Sequence, residues 1–282
     1  MSGPAVQASL ASIHIYPLKA ARGIDLRESL VEPWGLAGDR RWLLVDKAGR
    51  FISQREEPAM ARVTVGHSDA GLTVSAAGHP PLVVAAPAGA DVSEMLDVTV
   101  WRSTVMAAAA GPAADGWFSD YLGRGVRLVY LDDPTRRAVD PQFGSEGDVV
   151  TFADGYPLLL TNAASLDSLC GWLTDDGEEP VPMGRFRPSV VVAGPEPWAE
   201  DGWRRIRIGP VSFRVAKPCG RCVVTTIDQV TGEVGKQPLK MLGRRRLIGN
   251  DLVFGQNLIP EAPGTIRVGD PVEILSRAAP RG

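Results

Sequence analysis

Cysteine and histidine are the scarce residues of this chain, three of each among 282. An odd number of cysteines, with Cys219 and Cys222 only three positions apart, does not make a disulfide framework. Thiols left free fit a reducing compartment, so a cytoplasmic protein is expected. A structural zinc site needs about four donors, and beyond that pair only Cys170, His14, His67 and His79 remain, none at ligand spacing. Excess positive charge is also missing: 30 Lys and Arg against 33 Asp and Glu give a formal net charge of −3, and no nucleic-acid partner is expected. No apolar run approaches the roughly 18 residues of a membrane span. Residues 1–10 lack the basic start and apolar stretch of a secretory signal. Neither a membrane partner nor a leader is therefore expected.

What is present is an ordinary globular composition, 44% hydrophobic and 22% charged, and a length that allows two modest domains. The 31 glycines and 23 prolines mostly separate short β-like runs, which favours a β-rich fold. Residues 11–18 alternate as a strand that ends at Lys19. Asp39-Arg40-Arg41 precedes a strand at 42–45, and residues 51–56, with Arg55, are strand-like. Short β runs at 62–66, 72–76 and 81–85 are split by turn residues. Residues 96–105 read as a strand pair. Trp117, Phe118, Tyr121 and Leu122 recur at helical spacing, so residues 113–123 form a short amphipathic helix. A strand at 126–131 is followed by a loop at 132–146, rich in Asp, Pro, Gly and Arg, where the domain changes and which is long enough to overhang a site. Residues 157–160 read as a strand. Thr161 or Asn162 then caps a helix whose apolar face is Leu166, Leu169, Cys170 and Leu173. Its N-terminal residues, Thr161 to Ser165, are either an anion site or an ordinary cap.

The chain is organised around residues 217–228, which run Lys-Pro-Cys-Gly-Arg-Cys-Val-Val-Thr-Thr-Ile-Asp. Residues 211–215 alternate as a strand, and the β-branched residues 223–227 read as another. Pro218 and Gly220 put both cysteines on a tight turn between them, flanked by Lys217 and Arg221. A redox Cys-x-x-Cys usually opens a helix, and Val-Val-Thr-Thr-Ile starts a helix poorly. Four readings stay open: structural zinc, a redox pair, two ordinary small residues, or one thiolate ligand to a soft metal that brings its other ligands with a cofactor.

Residues 217–232, from Pro218-Cys219-Gly220-Arg221-Cys222 through Thr225-Thr226-Ile227-Asp228 to Thr231-Gly232, resemble the core motif of MOSC domains. Ile15-Tyr16-Pro17-Leu18-Lys19 and residues 36–46 resemble the N-terminal β-barrel domain of the same family. Arg185-Phe186-Arg187-Pro188, Phe254-Gly255-Gln256-Asn257 and residues 263–272 resemble other MOSC segments, in the family's order. The resemblance implies a mainly β fold with some α (α+β): a β-barrel domain over residues 1–130 and a MOSC domain, also barrel-like, over 131–282. Molybdenum cofactor (a molybdopterin dithiolene) is expected in the cleft between them.

The resemblance further implies that Cys222 is the metal ligand, with Cys219 a neighbouring thiol. Lys19 and Arg40 would reach in from the first domain, Arg187 from the second. An ammonium meets phosphate as a point charge and a guanidinium bidentately. Arg55, Thr161, Asn162, Ser165, Ser189, Gly220, Arg221 and Asn257 complete the candidate cofactor contacts. Asp228 is either a proton relay or a turn-orienting carboxylate. The implied activity is molybdenum-dependent reduction of N-hydroxylated compounds (amidoximes, hydroxylamines, N-hydroxylated bases) to amines. With no further cysteines for an iron–sulfur cluster, electrons are expected from a separate protein of the ferredoxin or cytochrome b5 type. A cofactor carrier or sulfur-transfer protein using Cys222 is the alternative.

Overall fold

The computed structural model describes residues 8–68, 70–87 and 94–278. Strands dominate, joined by three α-helices, Pro112–Leu122, Ala163–Asp175 and Leu239–Arg245, so the fold is α+β and mainly β. A nine-stranded sheet forms the largest layer. Its order is Val272–Arg277, Trp203–Ile208, Val211–Gly220, Asp251–Pro260, Leu158–Asn162, Val190–Ala193, Ser9–Ile15 and Ile24–Leu26, with Leu247–Ile248 paired at the side of Asp251–Pro260. Only Leu158–Asn162 and Val190–Ala193 run parallel. A parallel pair needs a crossover, and helix Ala163–Asp175 lies in that connection. No helix among the described residues is long and apolar enough to cross a membrane.

Strands Ser9–Ile15 and Ile24–Leu26 belong to the first part of the chain but continue the sheet built by the second. Gly264–Arg267 returns the exchange by pairing with Glu28–Glu32. Backbone hydrogen bonds therefore cross the sequence division near residue 130 in both directions. The first part also carries a four-stranded sheet, in the order Trp42–Val45, Arg127–Tyr130, Ser103–Ala109, Met95–Val100, and a three-stranded one, Thr64–Ser68, Gly71–Ala76, His79–Ala85. Trp42–Val45 is buried at all four positions because it has two apolar faces. Trp42 and Leu44 pack with Leu128 and with Trp117 and Phe118 of helix Pro112–Leu122. Leu43 and Val45, pointing the other way as successive strand residues must, pack with Val98, Val100 and Val129.

Two expectations around the cysteines need correction. Pro218 and Gly220 do not end a strand: Val211–Gly220 runs through both, with register shifts at Val215/Lys217 and Pro218/Gly220. Proline is tolerated in a strand at such irregularities. Opposite Cys219 the partner strand places two residues, Phe254 and Gly255, because Pro218 pairs with Gln256 and Gly220 with Val253. That is a bulge, and Gly255 supplies its left-handed backbone with φ +82°. Residues 223–227 are not a strand either. Val223–Thr226 forms a 3-10 turn because its threonines bond backward: Thr225 Oγ1 to the Cys222 carbonyl at 2.9 Å and Thr226 Oγ1 to the Val223 carbonyl at 2.8 Å. Hydroxyls that satisfy nearby carbonyls compete with sheet pairing.

A Cβ on Gly255 would stand 2.5 Å from the Leu160 carbonyl oxygen, which the sheet cannot move. Gly255→Ala is expected to destabilise the protein by about 1–3 kcal/mol. Gly116→Ala, with nothing near its Cβ and a place in helix Pro112–Leu122, is expected to stabilise by about 0.5–1 kcal/mol. Urea unfolding midpoints of the two variants check the contrast.

Candidate cofactor cleft

A cavity of about 750 Å³ opens at the seam between the two parts of the chain. Seven lining side chains are cations, namely Lys19, Arg40, Arg55, Arg102, Arg187, Lys217 and Arg221, and two are carboxylates, Asp154 and Asp251. In a chain with a net charge of −3, this is a local concentration of positive charge around an open space. Such a cleft attracts anions.

Lys19 follows the first strand, where its N–H donates to the Trp42 carbonyl. Its ammonium is buried and donates to the Phe152 carbonyl at 2.7 Å and to Asp154 Oδ1 at 2.6 Å. Burial lowers its pKa below the ordinary lysine value, with Asp154 opposing. Asp154 is surrounded by protein, yet its side chain is 73% accessible because it faces the open cavity. Burial tends to raise its pKa, but Lys19 outweighs this and holds the carboxyl well below the usual range. Behind this pair lies Arg137, 4% exposed, which donates to the carbonyls of Thr151, Ala153 and Asp154. Burial brings its pKa down to about 10.

Arg40 and Arg187 share one aromatic ring. Their guanidinium carbons lie 4.6 and 4.1 Å from the Tyr16 ring centroid. Buried Asp39 accepts from Arg40 Nη1 and from the Tyr16 N–H. Burial works against the charge on Arg40, but Asp39 outweighs it and the pKa is raised. Arg187 lacks such a partner, and burial lowers it to about 10. The Tyr16 hydroxyl donates to the Pro188 carbonyl, and burial pushes it up to about 12, so it stays neutral.

The five non-glycine residues with positive φ among the described residues are Ala20, Arg40, Trp101, Arg187 and Trp198. The first four of them line this cavity. Side chains rarely adopt that backbone unless the surroundings impose it, and such strain collects at functional sites.

Cys219 and Cys222 both line the cavity as half-buried free thiols. Arg221 Nη1 donates to Cys219 Sγ at 2.9 Å and Nη2 to the Phe186 carbonyl at 2.7 Å, while its buried Nε has no partner. Cys222 precedes the 3-10 turn in extended conformation, with φ −131°. Gly220 and Asn257 lie on the same wall, and Arg55 is at the exposed edge. No group of three or more His, Cys, Asp or Glu among the described residues could hold a bare metal ion. A metal bound here would have to arrive with ligands of its own.

Five other candidates lie outside the cavity lining. Thr161, Asn162, Ser165 and Ser189 are fully buried. The helix N-terminus expected as an anion site already faces an anion of the protein's own. Glu200 Oε1 accepts from Ser165 Oγ at 2.7 Å and Oε2 from Asn162 Nδ2 at 3.0 Å, while Asn162 Oδ1 caps the Ala164 N–H. Ser189 Oγ accepts from the Leu159 N–H and ties two strands. Asp228 is the turn-orienting carboxylate rather than a relay. It accepts from the Thr231 and Val230 N–H groups and pairs with Arg185, and those backbone bonds lower its pKa.

Tyr16, Trp101, Arg137 and Asp154 escape a reading from sequence. Turn residues Asp154-Gly155 just before an apolar run, and a tryptophan between two short strands, are the only local signals.

A sulfur among cations, in a cleft at the seam of two β-rich parts, defines a class of protein that binds an anionic ligand with affinity for thiolate. Residues 7–125 match the MOSC N-terminal beta barrel domain and residues 147–273 the MOSC domain. The chain is 32% identical to mitochondrial amidoxime-reducing component 1 of Mus musculus, over 95% of this chain and 83% of that protein. It is 30% identical to the Homo sapiens protein of the same name, with the same coverage, and 30% identical to mitochondrial amidoxime reducing component 2 of Rattus norvegicus, over 94% of this chain and 82% of that one. The chain belongs to the amidoxime-reducing component family of MOSC-domain proteins.

Proposed function

We propose that this protein is a molybdenum-cofactor-dependent reductase of N-hydroxylated compounds that takes electrons from a separate donor protein. The observation that carries the proposal is the clustering of seven cations around a cavity containing Cys222, in a member of this family. The donor set fits the cofactor. Cys222 offers one thiolate to a metal whose other sulfurs come from the pterin dithiolene. Lys19, Arg40, Arg187 and Arg221 suit its phosphate, and the orphaned Arg221 Nε leaves an unused donor among them.

When bound, the cofactor supplies two-electron chemistry and an acceptor for oxygen. In the net reaction the N–O bond breaks, an N–H bond forms, and oxygen leaves as water, using two electrons from the donor protein and two protons. The chain's own residues hold and orient. Arg137 fixes the carbonyls beneath Lys19 and Asp154, and Tyr16 and Asp39 hold Arg40 and Arg187 apart despite their like charge. A reducing compartment such as the cytoplasm belongs to the same proposal, supported by three free cysteines.

Elemental analysis of the purified protein is expected to give molybdenum together with extractable pterin. The loaded protein with a chemical reductant is expected to convert benzamidoxime to benzamidine. Zinc or no metal would overturn the proposal, and a loaded protein without turnover would leave a carrier.

A further inference from the structure

Once Lys19, Arg40, Arg187 and Arg221 are assigned to the cofactor, the exposed edge of the cavity still holds an aromatic and cationic group with no task. Trp101 and Arg102 form the two-residue turn between strands Met95–Val100 and Ser103–Ala109, since Val100 pairs with Ser103. Hairpin turns of this length normally use Asn-Gly or Gly pairs because positive φ is needed. Here a tryptophan takes φ +57°. Its indole, on a residue left 43% exposed, is braced on several sides. Nε1 donates to Asp154 Oδ1 at 3.2 Å, the Phe51 ring is tilted against it at 4.9 Å, and the Arg55 guanidinium lies 4.6 Å from it. No ion pair or side-chain hydrogen bond to a described residue engages Arg55 or Arg102. A strained, braced, half-exposed ring beside two unengaged guanidinium groups suits a planar ligand that carries an anion. Rings stack on Trp and Arg faces, and phosphate takes guanidinium bidentately.

We infer that Trp101, Arg55 and Arg102 form a substrate subsite for N-hydroxylated nucleobases in nucleotide form, with the base stacked at Trp101 and the phosphate on the arginines. This rests on the reductase proposal for its reaction but not for its binding, so binding is measured separately. The non-reducible probe is adenosine 5′-monophosphate, titrated by calorimetry into the protein as purified. Trp101→Ala is expected to weaken binding about tenfold, the scale of one base–aromatic stack. Trp101→Phe, which keeps a ring but loses the bond to Asp154, is expected to retain most of the affinity. Arg102→Gln is expected to cost about threefold for the monophosphate and much less for adenosine.

In turnover, the KM of N6-hydroxyadenosine 5′-monophosphate is expected to rise about ten times more in Trp101→Ala than that of cyclohexylhydroxylamine, which has no flat ring to stack. Equal binding of the probe by wild type and Trp101→Ala overturns the subsite, as does an equal rise in KM for the flat and the saturated substrate. Intact probe binding in a protein that reduces no N-hydroxylated compound leaves the subsite standing and overturns the reductase.

Discussion

Cys222→Ser is expected to fold normally and to lose N-reductive turnover by more than about a hundredfold, while Cys219→Ala keeps most of it. The loss is placed above a hundredfold because removing groups that merely support a metal ligand already costs about 10–100-fold. Folding should survive because Cys222 acts structurally through its backbone. Its carbonyl accepts from the Thr225 N–H at 3.0 Å and hydroxyl at 2.9 Å, and serine leaves that carbonyl in place. Cys219 sits opposite the bulge at Phe254 and Gly255, and its Sγ accepts from Arg221. Alanine there frees one guanidinium nitrogen in a cavity open to water, a small loss. Far-UV circular dichroism, molybdenum content and benzamidoxime turnover for both variants form the measurement. A Cys219→Ala protein that is inactive beside an active Cys222→Ser protein would reverse the ligand assignment.

The backbone plan was legible wherever one period dominated. Ser9–Ile15, Trp42–Val45 and Leu158–Asn162 fall where alternation or apolar runs predict strands, and Pro112–Leu122 falls where the aromatic stripe predicts a helix. The failures share a cause, the competition of local side-chain bonding with backbone pairing. Thr225 and Thr226 have strong strand propensity, yet their hydroxyls close a turn. Asn162 and Ser165 look like free caps, and a buried Glu200 from thirty-odd residues away claims both. The resemblance singled out Lys19, Arg40, Arg187, Arg221 and Cys222, which line one cavity, but it carried no information on what holds them there. Arg137, from a stretch read as plain loop, reaches inward to three carbonyls. Nothing in its neighbours' pattern separates it from exposed Arg136, which forms an ion pair with Asp132.

Arg137→Met is accordingly expected to be among the most destabilising single changes away from the hydrophobic core, costing about 3–5 kcal/mol. Methionine matches the arginine's length and removes an expensive buried charge, so part of the loss is offset. What it cannot replace is the donor set. The Thr151, Ala153 and Asp154 carbonyls share Arg137 Nη1 and Nη2, and hydrogen bonds from a charged donor contribute about 1.5–3 kcal/mol each. Buried carbonyls left without donors add a desolvation penalty. Residues 152 and 154 also supply both acceptors of the Lys19 ammonium, so a displaced loop would release Lys19 and the Asp154 bond to Trp101 together. A fall in Tm of about 6–15 °C is expected, with Arg137→Lys intermediate because one ammonium cannot fork across three carbonyls. Anion binding by the cleft should weaken in step with the loop's amide exchange protection. An Arg137→Met protein with wild-type Tm would mean that residues 151–154 are held from elsewhere and that the buried arginine serves the cavity by its charge alone.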